Sequence, residues 1–194
     1  MSLLQKLKGE TETGRLLLRR WKREDFREYV KIMSDPEVMI PAGTETLSTL
    51  EKAMTQFNRD CRSEGCFAIV LKETGEVIGR IKFQEDLRRF HVHALSLGYE
   101  LRKDQWGNGY MTEAVTAMIV RAFEREKVDV LGISHFSEND RSRRVIEKCG
   151  FHYEGTIHHA TRRSDGKIMD DMCYSLLKED YPEWKEEHDL TCGQ

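Results

Sequence analysis

Apolar positions along the chain switch between two periods. Leu95, Leu97, Tyr99 and Leu101 alternate with Ser96, Gly98 and Glu100, the spacing of a half-buried strand. After the turn Gln105-Trp106-Gly107-Asn108-Gly109, residues Met111, Ala114, Val115, Met118, Ile119, Ala122 and Phe123 recur at helical spacing. The stretch 95–122 therefore predicts a strand, a glycine-bearing loop and an amphipathic helix reaching about 125. The same reading gives strands at 15–21, 67–71, 77–84 and 128–136, and a hairpin of 151–161 with 168–178 around Ser164-Asp165-Gly166. Helices are predicted over 23–33, from a Thr46 or Ser48 cap to about 63 with Leu50, Ala53, Met54 and Phe57 inward, and over 140–148, closed by Gly150. Residues 40–43 read as loop, and the acidic tail 179–194 as frayed or helical.

The order β-α-α-β-β-β-α-β-α-β-β predicts an α/β fold with a mixed sheet. One crossover, through the helix after Gly109, makes strands 95–101 and 128–136 parallel. A length of 194 residues argues for one domain. A net charge of −3 gives no bulk electrostatic case for nucleic acid or a membrane surface, so neither is expected as a partner. No stretch approaches the ~20 apolar residues of a membrane span, and Met1–Gly9 lacks a signal-peptide run. Cys61, Cys66, Cys149, Cys173 and Cys192 are odd in number and irregularly spaced, which fits a reducing cytoplasm. His91-x-His93 and His158-His159 have no companions at metal spacing, so no metal is expected.

A glycine turn opening a helix aims unpaired backbone N–H groups and the positive end of the helix dipole at one point, which suits a phosphate. A P-loop requires Gly-Lys-Ser/Thr, whereas Tyr110 and Met111 follow Gly109. A dinucleotide fingerprint requires a third Gly or Ala, whereas position 112 is Thr. Taken alone, the turn is equally a tight strand-to-helix connection.

Gln105-Trp106-Gly107-Asn108-Gly109-Tyr110 resembles the Q/R-x-x-G-x-G/A loop of the GCN5-related N-acetyltransferase (GNAT) superfamily. Further on, Asn139-Asp140-Arg141-Ser142 and Glu147-Lys148-Cys149-Gly150-Phe151 resemble its second signature, N-x-x-S…K-x-G-F. The resemblance spans 16–181 and is nearest the ribosomal-protein N-terminal alanine acetyltransferases of the RimJ/RimL type. It implies the acyl-CoA N-acyltransferase fold, with the fourth and fifth strands splayed around the acyl-CoA arm. It also implies one acetyltransferase domain over 1–194, with a core of about 15–181 and terminal extensions at 1–14 and 182–194.

The implied reaction is attack of an amine on the thioester of acetyl-CoA. The resemblance seats the pyrophosphate on backbone N–H groups of Gln105, Trp106, Gly107, Asn108, Gly109, Tyr110 and Met111, with Arg102 and Lys103 adding charge unless they are simply solvated. The pantetheine arm falls to backbone groups near Leu101 and Lys103 and to the side chain of Asn139, which is equally a helix N-cap. Arg143 or Arg144 near the 3′-phosphate is matched by an exposed helix face as the plain reading. Glu100 is the candidate base: a free glutamate titrates near ~4.3 and is ionised at neutral pH. Its plain alternative is a surface ion pair with Arg102 or Lys103. The family's general-acid tyrosine is replaced by Ile146, leaving Ser142 to hydrogen-bond the sulfur or merely to support its helix.

The acceptor implied by the branch is a protein N-terminal amine, seated between 34–50 and the 162–167 turn, where Asp35, Glu37, Asp170 and Asp171 would favour a cation. The alternatives are a small-molecule amine, a non-catalytic acyl-CoA-binding module and a phosphate-nucleotide binder. A homodimer is a candidate assembly.

Overall fold

The computed structural model describes residues 7, 9–163 and 165–188. Ser164 of the expected turn, most of Met1–Gly9 and the end of the tail, with Cys192, lie outside the described residues. Among the described residues, eight strands form one sheet: β1 (Thr11–Glu12), β2 (Leu16–Arg20), β3 (Cys66–Leu71), β4 (Val77–Glu85), β5 (Ala94–Leu101), β6 (Val130–Phe136), β7 (His152–Arg162) and β8 (Ile168–Leu177). The spatial order is β1-β2-β3-β4-β5-β6-β8-β7. Among the described residues, only β5 and β6 pair in parallel. Helices α1 (Phe26–Met33), α2 (Pro36–Met39), α3 (Leu50–Arg62), α4 (Tyr110–Glu124), α5 (Asp140–Lys148) and α6 (Tyr181–Glu187) complete the α/β fold.

Strand β3 shows why the sheet is covered twice. Phe67 and Ile69 enter a core with α4, α5 and α6, while Cys66, Ala68 and Val70 enter a second core with α1, α2 and α3. Both faces are dry, so Cys-Phe-Ala-Ile-Val-Leu reads as an unbroken apolar run.

Some sequence expectations shift. The two-residue β1 precedes the first expected strand, so the splayed pair becomes β5 and β6. Residues 36–39 form a helical turn, with Pro36 at its start and the Asp35 carboxylate accepting from the Glu37 N–H at 2.9 Å. Helix α3 is capped by Thr49 rather than Thr46 or Ser48. Its buried stripe is Ala53, Phe57 and Asp60, and Leu50 and Met54, expected inward, are 67% and 43% exposed. Met54 is turned about 100° from Ala53 around the helix, away from that stripe. Leu7 and Trp184, outside the 15–181 core expected from the sequence, are both buried in it.

Strands β5 and β6 pair from Ala94↔Val130 to Leu97↔Ile133 and then part. Each follows its antiparallel neighbour: β5 stays with β4 to Leu101↔Gly79, and β6 stays with β8 to Phe136↔Asp171. The accumulating twist of the sheet opens the gap between them. Arg102 N–H donates to Ile78 O across β4. Backbone alternation therefore turns the N–H groups of Tyr99 and Leu101 into the gap.

Candidate active site

The loop after β5 makes the first half of the site. Lys103–Gln105 form one 3-10 turn, whose N–H groups at Gln105 and Trp106 are used by Arg102 O and Lys103 O, at 3.0 and 3.2 Å. These two amides are therefore not available to a phosphate, contrary to expectation. Gly107 and Gly109 then take φ of +80° and +77°, a backbone that side chains rarely adopt. This aims the amides of Gly107, Asn108, Gly109, Tyr110 and Met111 out of the N-terminus of α4, where no protein acceptor meets them among the described residues. The loop is held from behind: Arg15 donates to Asn108 O at 3.0 Å and to Glu113 at 2.7 Å, and its guanidinium lies 4.5 Å from the Tyr110 ring centre. Trp106 Nε1–H donates to Leu101 O at 2.9 Å, tying the loop to the end of β5.

A 440 Å³ cavity runs from these amides past the end of β5 to the start of α5, lined by Leu101, Gln105, Trp106, Gly107, Gly109, Tyr110, Met111, Asn139, Ser142 and Arg144, together with Glu100. Arg102 and Lys103 do not line it. Arg102 is tied to Glu76 at 2.6 Å and to Asp104 at 2.6 and 3.0 Å, hydrogen bonds that raise its pKa, and Lys103 is paired with Glu37 at 2.5 Å. Among the described residues, the cations that line the cavity are Arg141, Arg144 and Lys148. Arg141 stacks 4.0 Å over the Trp106 ring. The sequence held a signal for it, since Arg141 lies within the second signature one residue before Ser142.

Helix α5 supplies the second half. Asn139 Oδ1 accepts the Ser142 N–H at 3.1 Å, so the N-cap role is realised, and Asn139 Nδ2 donates to Pro41 O at 2.9 Å, fastening the 40–43 loop over the site. The Ser142 hydroxyl shares a 2.8 Å hydrogen bond with Tyr99 Oη. The alternation of β5 marks Tyr99 only as an inward strand position. The signal available was its phenol, which needs a partner when buried.

Glu100 is buried and pairs neither with Arg102 nor with Lys103. Its two oxygens accept from Arg80 Nε and Nη2 at 2.7 and 2.6 Å. Arg80 Nη1 donates to Asp60 at 2.7 Å, and Asp60 also accepts from Tyr29 Oη at 2.8 Å and from Gln56 at 3.0 Å. Burial alone would lower the guanidinium's pKa, but the Glu100 and Asp60 carboxylates outweigh it and hold Arg80 well above its ordinary value. An arginine in the apolar strand Val-Ile-Gly-Arg-Ile-Lys-Phe was the legible sign that carboxylates must meet it.

A second cavity of 300 Å³ reaches into the β5–β6 gap, lined by Leu97 and Gly98 of β5 and Ile133 and Ser134 of β6, and lies between 41–44 and Thr161 and Asp171. The two cavities meet over Pro41, Ala42, Tyr99, Glu100 and Asn139. Of the acids expected here, Asp171 lines the cavity, its carboxyl raised by burial and only partly offset by Ser134, Arg88 and His135. The other three are placed elsewhere: Asp35 caps α2, Glu37 lines the first cavity, and Asp170 accepts from His158 at 2.9 Å and from the His159 N–H at 2.8 Å.

The family profile of an acetyltransferase (GNAT) domain matches residues 15–152. The uncharacterized N-acetyltransferase p20 of Bacillus licheniformis is 31% identical over 178 residues, covering 87% of this chain and 96% of p20. A ribosomal-protein-S5-alanine acetyltransferase from Vibrio fischeri superposes with a TM-score of 0.74 at 20% identity, over 90% of this chain and 99% of that one. A spermidine N-acetyltransferase from Vibrio cholerae, solved with CoA and spermine, superposes with a TM-score of 0.74 at 16% identity, over 88% and 99%. A splayed parallel pair, a glycine loop with outward amides and a match over most of the chain lead to one conclusion: this protein belongs to the GNAT family of acetyltransferases.

Proposed function

We propose that the protein transfers acetyl from acetyl-CoA to a protein N-terminal amine of the ribosomal-protein type, in the cytoplasm. One observation carries the reading: a cavity headed by unpartnered amides and a second, polar cavity meet at Glu100. The pyrophosphate sits on the amides of residues 107–111, with Arg144 and Lys148 alongside. The arm follows the β5–β6 gap, where the Tyr99 and Leu101 N–H groups give it the partners of an added strand. The acceptor amine enters from the second cavity. Its nitrogen bonds to the acetyl carbon as the carbon–sulfur bond breaks, and the proton the amine gives up balances the one the thiol ends with. Glu100 draws that proton away, directly or through water, and Ser142 hydrogen-bonds the departing sulfur. Free Cys61, Cys66, Cys149 and Cys173 support a reducing compartment.

The charge balance of the acceptor cavity favours a single ammonium over a polycation. Its lining carries Glu100, Asp171 and Lys82, and Glu100 is already matched by Arg80. The second reading is a small cationic amine, favoured by the half-buried Asp171. Thiol release measured with acetyl-CoA against peptides with free N-termini and against small amines tests the choice. Turnover of peptides is expected, and turnover of small amines alone would overturn the acceptor. Tight CoA binding with no thiol release across both panels would leave a non-catalytic acyl-CoA module.

A further inference from the structure

The position expected to hold a proton donor, Ile146, is fully buried in the α4–α5 core and has nothing to donate. The hydroxyl pair beside the cavity stands in a different place. Tyr99 projects from β5 just beyond Leu97, where β6 has left it, and its Oη lies 2.8 Å from Ser142 Oγ. Both residues line the 440 Å³ cavity, and Tyr99 also lines the acceptor cavity. Ser142 is fixed at the start of α5 by the bond from its N–H to Asn139 Oδ1, so its hydroxyl has a defined origin.

We propose that Tyr99 is a positioning residue for the leaving-group step, its phenol O–H donating to Ser142 Oγ and turning the serine's own hydrogen into the cavity toward the departing sulfur. A serine hydroxyl carries one hydrogen; when a neighbour donates to its oxygen, that hydrogen must find another acceptor. The growing thiolate is the strongest acceptor at hand, and the chain Tyr99–Ser142–sulfur polarises cooperatively as charge develops. Burial pushes the Tyr99 phenol above its ordinary value, outweighing the Ser142 hydrogen bond, so it stays protonated and keeps donating at neutral pH. No net transfer runs through the pair: both hydroxyls end the cycle with their own hydrogens, and the proton that Glu100 takes from the amine balances the one the thiol ends with. The proposal rests on the acetyl-transfer reading above.

The test is steady-state kinetics with acetyl-CoA and a turned-over acceptor, with CoA affinity measured by calorimetry. Tyr99→Phe keeps the ring and is expected to lower kcat about 10- to 100-fold, the effect of losing one hydrogen bond along a path to charge, with CoA affinity unchanged. Ser142→Ala is expected to lose a similar factor, and the double variant no more than Ser142→Ala alone, because the two act as one unit. Site-specific 3-fluorotyrosine at 99 keeps the fold and strengthens the donor, so kcat is expected to rise while CoA affinity stays put. An unaltered kcat in Tyr99→Phe, additive losses in the double variant, or no response to the fluorinated residue each overturns the proposal while leaving acetyl transfer standing. Wild-type protein that binds acetyl-CoA and acetylates nothing overturns both.

Discussion

Arg80 and Glu100 stand directly opposite each other on β4 and β5, and their side chains close a buried two-pronged ion pair at 2.6 and 2.7 Å. The candidate base is therefore held on a rigid sheet, with its carboxylate plane set by a guanidinium that also carries Asp60. Such an arrangement fixes direction well, because both partners are planar and share two hydrogen bonds.

Replacing Glu100 should separate chemistry from stability. Glu100→Gln is expected to lower kcat by at least about 10²-fold if the carboxylate takes the amine's proton. It also leaves a buried guanidinium short of a charge, a loss on the order of 3–5 kcal/mol for a broken buried pair. Asp60→Asn should share the stability loss while keeping most of the turnover. Steady-state kinetics beside thermal denaturation resolves the two, and full turnover in Glu100→Gln would remove Glu100 from the chemistry.

The glycine loop gives a binding prediction. A Cβ on Gly109 would meet Arg15 at 3.5 Å, an ordinary contact, so the obstacle to Gly109→Ala is its φ of +77°. The left-handed backbone costs a side chain on the order of 1–2 kcal/mol, and relief of that strain swings the amides off target. Calorimetry should show CoA binding about tenfold weaker or worse, which corresponds to ~1.4 kcal/mol. Unchanged affinity would mean that the diphosphate sits elsewhere.

Acid should loosen the same loop through Glu113. Burial would raise this carboxyl, but donation from the Thr13 hydroxyl at 2.5 Å and from the Arg15 backbone and guanidinium at 2.8 and 2.7 Å holds it below the ordinary glutamate value. Its folded pKa is depressed, so the stabilisation is full above the unfolded value near ~4.3 and is lost as pH falls through the folded one. Glu113→Gln should melt lower than the parent at pH 7, and the gap should close on acidification below about pH 4. A gap of constant size across that window would deny the carboxylate this role.

Helix α6 should prove integral to the fold. Trp184 is buried, donates from Nε1 to Cys149 O at 2.7 Å and stacks on Tyr181 and His188. Trp184→Ala is expected to cost about 3–5 kcal/mol, a fall in Tm on the order of 10 °C for a chain of this size. A melting point within a degree or two of the parent would show that α6 is an appendage.

Local pattern carried most of the architecture. The alternation at 95–101, the glycine pair at 107 and 109, the helical stripe of α4 and the cap at Asn139 each depend on residues a few positions apart, where backbone geometry alone limits the choices. Local pattern falls short where a segment's neighbours are undetermined. Leu50 and Met54 fit an inward stripe by spacing yet are exposed, because spacing cannot say where the partner of α3 lies.

By itself, then, the sequence determined the strand–loop–helix unit, the parallel crossover and the glycine turn at its centre. Only the tertiary structure decided which charges reach the cavity beside that turn. Arg102 and Lys103 lie next to it in sequence but are claimed by Glu76, Asp104 and Glu37, whereas Arg141 and Arg144 reach the cavity from a distant helix. Arg80 meets Glu100 through strand register, and Tyr99 meets Ser142 through the docking of α5 beside the open strand pair. Ion pairs and hydroxyl contacts act over a few ångströms in space, and that separation is set by packing between segments remote in the chain.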